Sequence, residues 1–186
     1  MDGAPVKEGA IFGFASFVAG YIVTLIVVAL GESDELSNNL AEAAGLLYYN
    51  AQFASLDATA QIGGGTRTSS FNLLTDSTLF GATVEGPSVP SVVYHLIPIL
   101  VLVAAGVAVA NYVGAQERSD GAVAGATLAV GTVLPALLGT VFFSLEFAGL
   151  FGSLTFSPAL VPGVLLAGLF YPAVFGAIGG AISTEL

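Results

Sequence analysis

His95 is the only histidine among 186 residues, and it stands about one turn inside the second of four long apolar runs. Glu146 closes the third run. An imidazole and a carboxylate at one membrane boundary can form a contact that a proton strengthens, because a nearby carboxylate favours the charged ring. The plainer reading has His95 anchoring its helix beside Tyr94 at the headgroup level while Glu146 faces water. No Asp, Glu, Lys or Arg stands near the middle of any run. Proton-coupled transporters and pumps need an ionisable group at depth, so the pattern speaks against them. Thr24, Thr127, Thr132 and Thr140 lie inside the runs, where a hydroxyl bonds back to its own helix. With Pro135 they can also line a narrow polar path, although their spacing does not require one.

Catalytic signatures are missing from the sequence. With no cysteine, disulfides, thiolate metal sites and cysteine nucleophiles are excluded. A single histidine removes the usual multi-His metal sites. There is no nucleophile elbow and no His-Glu-x-x-His. Gly63, Gly64 and Gly65 are followed by no Lys and open no helix behind a strand, so they are not a phosphate loop. The chain is therefore read as a non-enzyme with no catalytic, cofactor or metal residues.

The elements that position these residues follow from composition. Only 9% of the residues are charged and 55% are hydrophobic, against about a quarter charged in an ordinary soluble domain. The mean hydropathy of +0.92 is gathered into runs that each span a ~30 Å hydrocarbon layer at roughly 1.5 Å per residue. The expected fold is an all-α integral membrane protein, a four-transmembrane-helix bundle whose extracellular segment carries an amphipathic helix and a short β-hairpin. Spans are expected over 10–31, 91–113, 122–146 and 159–182. Outside the membrane lie an acidic segment over 32–90 and a loop over 147–158; inside lie residues 1–9, 114–121 and 183–186. The first run exceeds the roughly 7 to 15 residues of a signal-peptide core and has only Lys7 before it, so it reads as a retained span. Lys7 and Arg118 share one side, which places both termini in the cytoplasm of a cell membrane. Pro98, Pro135 and Pro172 are expected to kink their helices, which neighbours in a bundle absorb. Tyr94 and Tyr112 bracket the second span as interfacial anchors, and Asn111 caps its inner end or hydrogen-bonds across the cytoplasmic end of the bundle.

The 32–90 segment holds seven carboxylates against Arg67, a formal charge of −6 in a chain of net charge −10. Such a surface repels nucleic acid and anionic lipid heads. Its first part reads as a helix capped by Ser33 or Asp34. Leu36, Leu40, Ala43, Ala44, Leu47, Ala51 and Ala54 recur at three- and four-residue steps, with Glu35, Asn38, Asn39, Glu42, Tyr49 and Gln52 on the remainder. The apolar face should lie on the membrane surface or on the rest of the ectodomain, with Gly63 to Gly65 ending the helix. Residues 66–90 are rich in Thr, Ser, Phe and Val, with turn signals at Asn72, Asp76, Gly81 and Gly86 to Pro87, and suit one or two short strands. The uncharged, aromatic 147–158 link suits a strip resting in the interface or against this ectodomain.

Helices in lipid meet where small residues let backbones approach. Ala173, Ala177 and Ala181 form one row on the fourth span, and Gly176 with Gly180 another. Gly121 and Gly125 do likewise at the start of the third. These faces serve packing within the bundle or a homo-oligomer interface on the fourth span. The implied partners are the lipid bilayer and either another membrane or surface protein or further copies of the chain; nucleic acid is not among them.

Few lysines, many carboxylates, no Cys, no Trp and abundant Ala, Val and Gly make the composition similar to that of small four-span membrane proteins of haloarchaea. The resemblance implies an archaeal, halophilic host in which dense carboxylates keep surfaces hydrated. The layout, with a large first outer segment and a small second one, resembles claudin-like cell-contact proteins in arrangement alone. The Trp and the Cys pair of their first outer segment have no counterpart here, so no residue role carries over. The expected role is structural or interactive: presenting an acidic ectodomain to a protein partner, or serving as a subunit of a membrane complex. The alternative is a small-solute or ion channel or transporter formed by an oligomer.

Overall fold

In hydrocarbon every backbone N–H and C=O must be satisfied within the chain, so long uncharged runs have helix as their open form. The computed structural model of the chain describes residues 4–31, 39–149 and 152–185. Its elements in order are α1 (Val6–Gly31), α2 (Leu40–Asn50), β1 (Leu56–Ile62), β2 (Gly65–Phe71), β3 (Thr78–Leu79), β4 (Ala82–Thr83), α3 (Ser91–Val113), α4 (Arg118–Ala126), α5 (Leu128–Phe142), β5 (Leu145–Gly149), β6 (Gly152–Pro158), α6 (Leu160–Pro162) and α7 (Tyr171–Ser183). A π-helical stretch, Gly163–Phe170, joins α6 to α7. Among the described residues four helices are long and apolar enough to cross a membrane: α1, α3, Arg118–Phe142 (α4 with α5) and Leu160–Ser183 (α6 to α7).

Around the bundle, α1 packs on α3 and α5, and α7 packs on α3 and α4. At the end that carries the termini, glycine meets backbone. A Cβ on Gly125 would fall on the Gly176 carbonyl oxygen, one on Gly180 on that of Gly121, and one on Gly106 again on that of Gly176. The glycine rows thus meet one another within a single chain, α4 against α7, while Ala173, Ala177 and Ala181 are half-buried beside them. In the fourth span Pro172 has no N–H to offer the Gly168 carbonyl four residues back. The Thr132 hydroxyl on α5 donates to that carbonyl instead, at 2.6 Å.

The other end is filled differently, and here the sequence expectation needs correcting. α2 does not lie on a surface; residues 43–50 are buried without interruption. Tyr48 fits against Gly20 of α1, Tyr49 against Gly139 and Gly163, and Phe143 against Gly45. The Tyr49 hydroxyl donates to the Ala136 carbonyl on α5. Tyr49 and Gln52, assigned to the polar side, are therefore core residues. Tyr94 is likewise no interfacial anchor, being fully buried with Ala44, Leu47 and Ala51. Tyr112 is exposed, and Gly114 at φ 71° rather than Asn111 closes α3. The caps expected at Ser33 or Asp34, and the positions of Glu35, Leu36 and Asn38, lie outside the described residues.

α2 ends at Asn50, and the glycines do not terminate it. Leu56, Ala58, Ala60 and Ile62 alternate with Asp57, Thr59 and Gln61, a period of two that makes β1. Gly63 and Gly64, at φ 58° and 83°, form the two-residue turn into β2 that positive φ at both positions allows. Residues 145–149 and 152–158 are strands laid against the ectodomain strand β1 rather than a strip in the interface, and the all-α description gives way to a four-stranded antiparallel sheet in the order β2-β1-β6-β5. β3 and β4 make a separate two-stranded ribbon. The third span's helix stops at Phe142, so Glu146 belongs to β5 and not to a helix end.

Candidate functional site

Where α2 turns into β1, three buried polar side chains gather: Asn50, Gln52 and Asn72. The Ala54 N–H reaches the Tyr49 carbonyl at 3.1 Å and the Phe53 N–H reaches that of Asn50 at 2.9 Å, the paired bonds of a Schellman cap. The residue that such a cap holds at positive φ is usually glycine. Here it is Phe53 at φ 58°, a conformation costing a non-glycine residue about 1–3 kcal/mol and kept only where its surroundings enforce it. His95 supplies that enforcement. Its ring stacks on Phe53 with centroids 4.6 Å apart and planes 15° apart, and its Nδ1 lies 2.8 Å from the Ala51 carbonyl. Because a carbonyl only accepts, Nδ1 carries the proton of this bond.

Asn50 then ties the next loop to α2. Its Oδ1 accepts the Leu73 N–H at 2.8 Å and its Nδ2 donates to the Ala54 carbonyl at 2.8 Å. The Asn72 Oδ1 accepts the Leu74 N–H at 2.9 Å, and the Asp76 carboxylate accepts the Asn72 N–H at 2.7 Å. Burial within this wedge pushes the phenols of Tyr48 and Tyr49 well above their ordinary value of 10.0, with the neighbouring Tyr49 adding to the effect at Tyr48.

The sheet that α2 carries has two unlike faces, as strand alternation dictates. Leu56, Ala58, Phe71, Leu145 and Phe156 turn towards α2, Leu73 and Leu79. On the opposite face Glu146, Thr155, Thr59 and Thr68 form one row across all four strands, with the Thr59 and Thr68 hydroxyls 3.1 Å apart. Between α2, the 84–87 turn and β5–β6 lies an open apolar cleft of about 270 Å³ with Glu85 at its edge. A larger cleft of about 1060 Å³ lies at the opposite end, lined among others by Lys7, Glu8, Tyr112, Gln116 and Asp120.

His95 and Glu146, which the sequence placed at one boundary, are not brought together. No ion pair joins them among the described residues, where Arg118–Glu185 at 3.2 Å is the pair that forms. The reason is register: Leu145 and Phe147 face the cleft, so Glu146 between them points to the hydroxyl face, while His95 is committed to the end of α2. The span hydroxyls bond to backbone, Thr24 to the Gly20 carbonyl at 2.9 Å and Thr140 to that of Leu137 at 2.7 Å. Asn50, Phe53 and Asn72 carry the joint; the sequence marked Asn72 as a turn, while Asn50 and Phe53 were not singled out. The one cue was local, an Asn closing an apolar helix before a non-glycine, and its partner lies 22 residues on.

The chain belongs to a family of unknown function (DUF7978), which matches residues 1–186. No curated protein and no solved structure matches it.

Proposed function

We propose that this member of the family is a non-catalytic, multi-pass membrane protein of structural or interaction type. Its acidic outer layer is presented to a protein partner or docks it as a subunit of a membrane complex. The observation that carries this reading is α2: one buried helix, keyed into the spans by Tyr48 and Tyr49, carries the sheet through Asn50 and His95. The layer is thereby held at a fixed attitude to the bundle, as a presenting surface must be. Lys7 and Arg118 open α1 and α4 at the end away from the sheet, which supports termini in the cytoplasm and the sheet outside a cell membrane. An excess of carboxylates suits a salt-rich host. The second reading, a solute pathway in an oligomer, draws on the π-helical stretch between Pro162 and Pro172, since such stretches often mark functional sites.

Photo-cross-linking from Thr68 on the sheet and from Ala177 on α7 separates them, in native membranes at the host's salt, followed by mild solubilisation and mass spectrometry. A stoichiometric second protein captured from Thr68 is the expected result. Capture of only further copies, and from Ala177, overturns the interaction reading and makes liposome flux the next assay.

A further inference from the structure

The cleft beside β5 is an apolar hollow kept open outside the bundle. Leu47, Leu73, Val84, Phe147 and Phe156 line it, and Glu85 stands exposed at its edge. Its volume of about 270 Å³ falls just under the roughly 300 Å³ where sites for drug-sized molecules begin, so it suits one large side chain. Among the described residues β5 is also an edge of the sheet, with β6 on one side and no strand on the other. An edge strand offers its free backbone groups to an added extended segment, and neighbouring pockets then select that segment's side chains. The charge of the layer decides what kind of segment. Among the described residues, Glu42, Asp57, Asp76, Glu85 and Glu146 stand against Arg67 alone. A second copy brings the same acidic surface and is disfavoured.

Resting on the interaction reading above, we propose that this cleft binds an apolar side chain flanked by a cation: a Leu or Phe beside Lys or Arg, in an extended segment of a protein partner laid along β5. The apolar group fills the hollow, and the cation meets Glu85 at its mouth.

The test uses the full chain in nanodiscs of zwitterionic lipid and two probes of matched shape, phenethylammonium and 3-phenylpropionate, titrated by ligand-observed NMR. The cation is expected to bind up to about fivefold more tightly, the size of effect that one exposed ion pair supplies. Glu85→Gln should abolish that preference, and Val84→Trp should block both probes; Phe147→Trp is the second blocking variant should Val84→Trp fail to fold. Equal binding of the two ions, absence of binding, or binding unchanged in a folded blocking variant overturns the proposal, the last of these pointing to the lipid. If a partner is still cross-linked from Thr68 in Glu85→Gln and Val84→Trp, the interaction reading survives and the cleft does not. If the probes behave as expected but no partner is captured, the interaction reading falls instead.

Discussion

The two ends of the same four spans are held together by opposite means. Near the termini, glycine sits on backbone: Gly121 and Gly125 on α4 meet Gly180 and Gly176 on α7, with no side chain between them. Near the sheet, a separate helix is inserted and contact is made by Tyr48, Tyr49, Phe17 and Phe143. Backbone contact in lipid needs small residues and gains dispersion and weak polar contacts, so it closes the bundle where nothing else has to fit. An inserted aromatic wedge does something that direct contact cannot, because it couples whatever follows it in the chain to the spans. One end is therefore sensitive to added atoms and the other to removed ones.

Removing the wedge's largest contact should have the greatest effect. Tyr49→Ala deletes a buried ring and its bond to the Ala136 carbonyl, and is expected to cost about 3–5 kcal/mol in denaturant unfolding from mixed micelles, the range for buried aromatics. A loss below about 1 kcal/mol would mean that the spans close over the gap and the wedge is dispensable. The converse test adds one methyl at the other end. Gly125→Ala places a Cβ on the Gly176 carbonyl oxygen, which cannot step aside as a side chain can, and about 1–3 kcal/mol should be lost. Thermal unfolding against Gly64→Ala, whose Cβ would meet open space, separates crowding from the strain that a positive φ also brings there.

Alkali also tests the wedge. The Tyr48 and Tyr49 phenols are raised by burial above the 10.0 of an exposed tyrosine. The unfolded chain therefore releases these protons first. Their contribution to stability is whole below about pH 10 and declines above it by about 1.4 kcal/mol per pH unit for each phenol. Tyrosinate absorbance should show a cooperative step that coincides with loss of helix. A smooth single titration with helix retained would show that water reaches both rings.

The two ends also differed in how far sequence revealed them. Glycine and alanine at four-residue steps are legible because the helix repeat that spaces them also makes the contact. The apolar runs were legible for the same reason. α2 misled because Ala43, Leu47 and Ala51 do recur at helical steps, while Tyr49 and Gln52 read as a wet side. What buries them is a space between spans, which no local pattern encodes. β1 was hidden by alanines of its own: Ala58 and Ala60 fit helix as well as strand, and only their alternation with Asp57, Thr59 and Gln61 separates the two. β6 was lost because its partner β1 lies 90 or more residues earlier in the chain, and β5 with it because β5 pairs with β6 alone. The His95–Glu146 pair failed on register, since a strand turns successive side chains to opposite faces and Glu146 went with the hydroxyls.

The smallest effect is expected at Arg118 and Glu185, which join the start of α4 to the residues just past α7 at 3.2 Å, with side chains 68% and 57% exposed. The pair spans the same two helices as the glycine contact, so it tests whether charge or backbone packing holds that end. Exposed pairs of this kind contribute under about 1 kcal/mol, since water screens them and two long side chains must be fixed. A double-mutant cycle with Arg118→Ala and Glu185→Ala should give a coupling in that range at low salt. It should vanish by 1 M salt, where the screening length falls to about 3 Å. A coupling well above 1 kcal/mol that survives such salt would shift the account of this end from glycine packing to electrostatics. Among the described residues carboxylates at Glu8, Glu117, Asp120 and Glu185 face only Lys7 and Arg118 at this end, so screening should instead relieve net repulsion there, leaving the Gly125–Gly176 contact as what keeps α4 on α7.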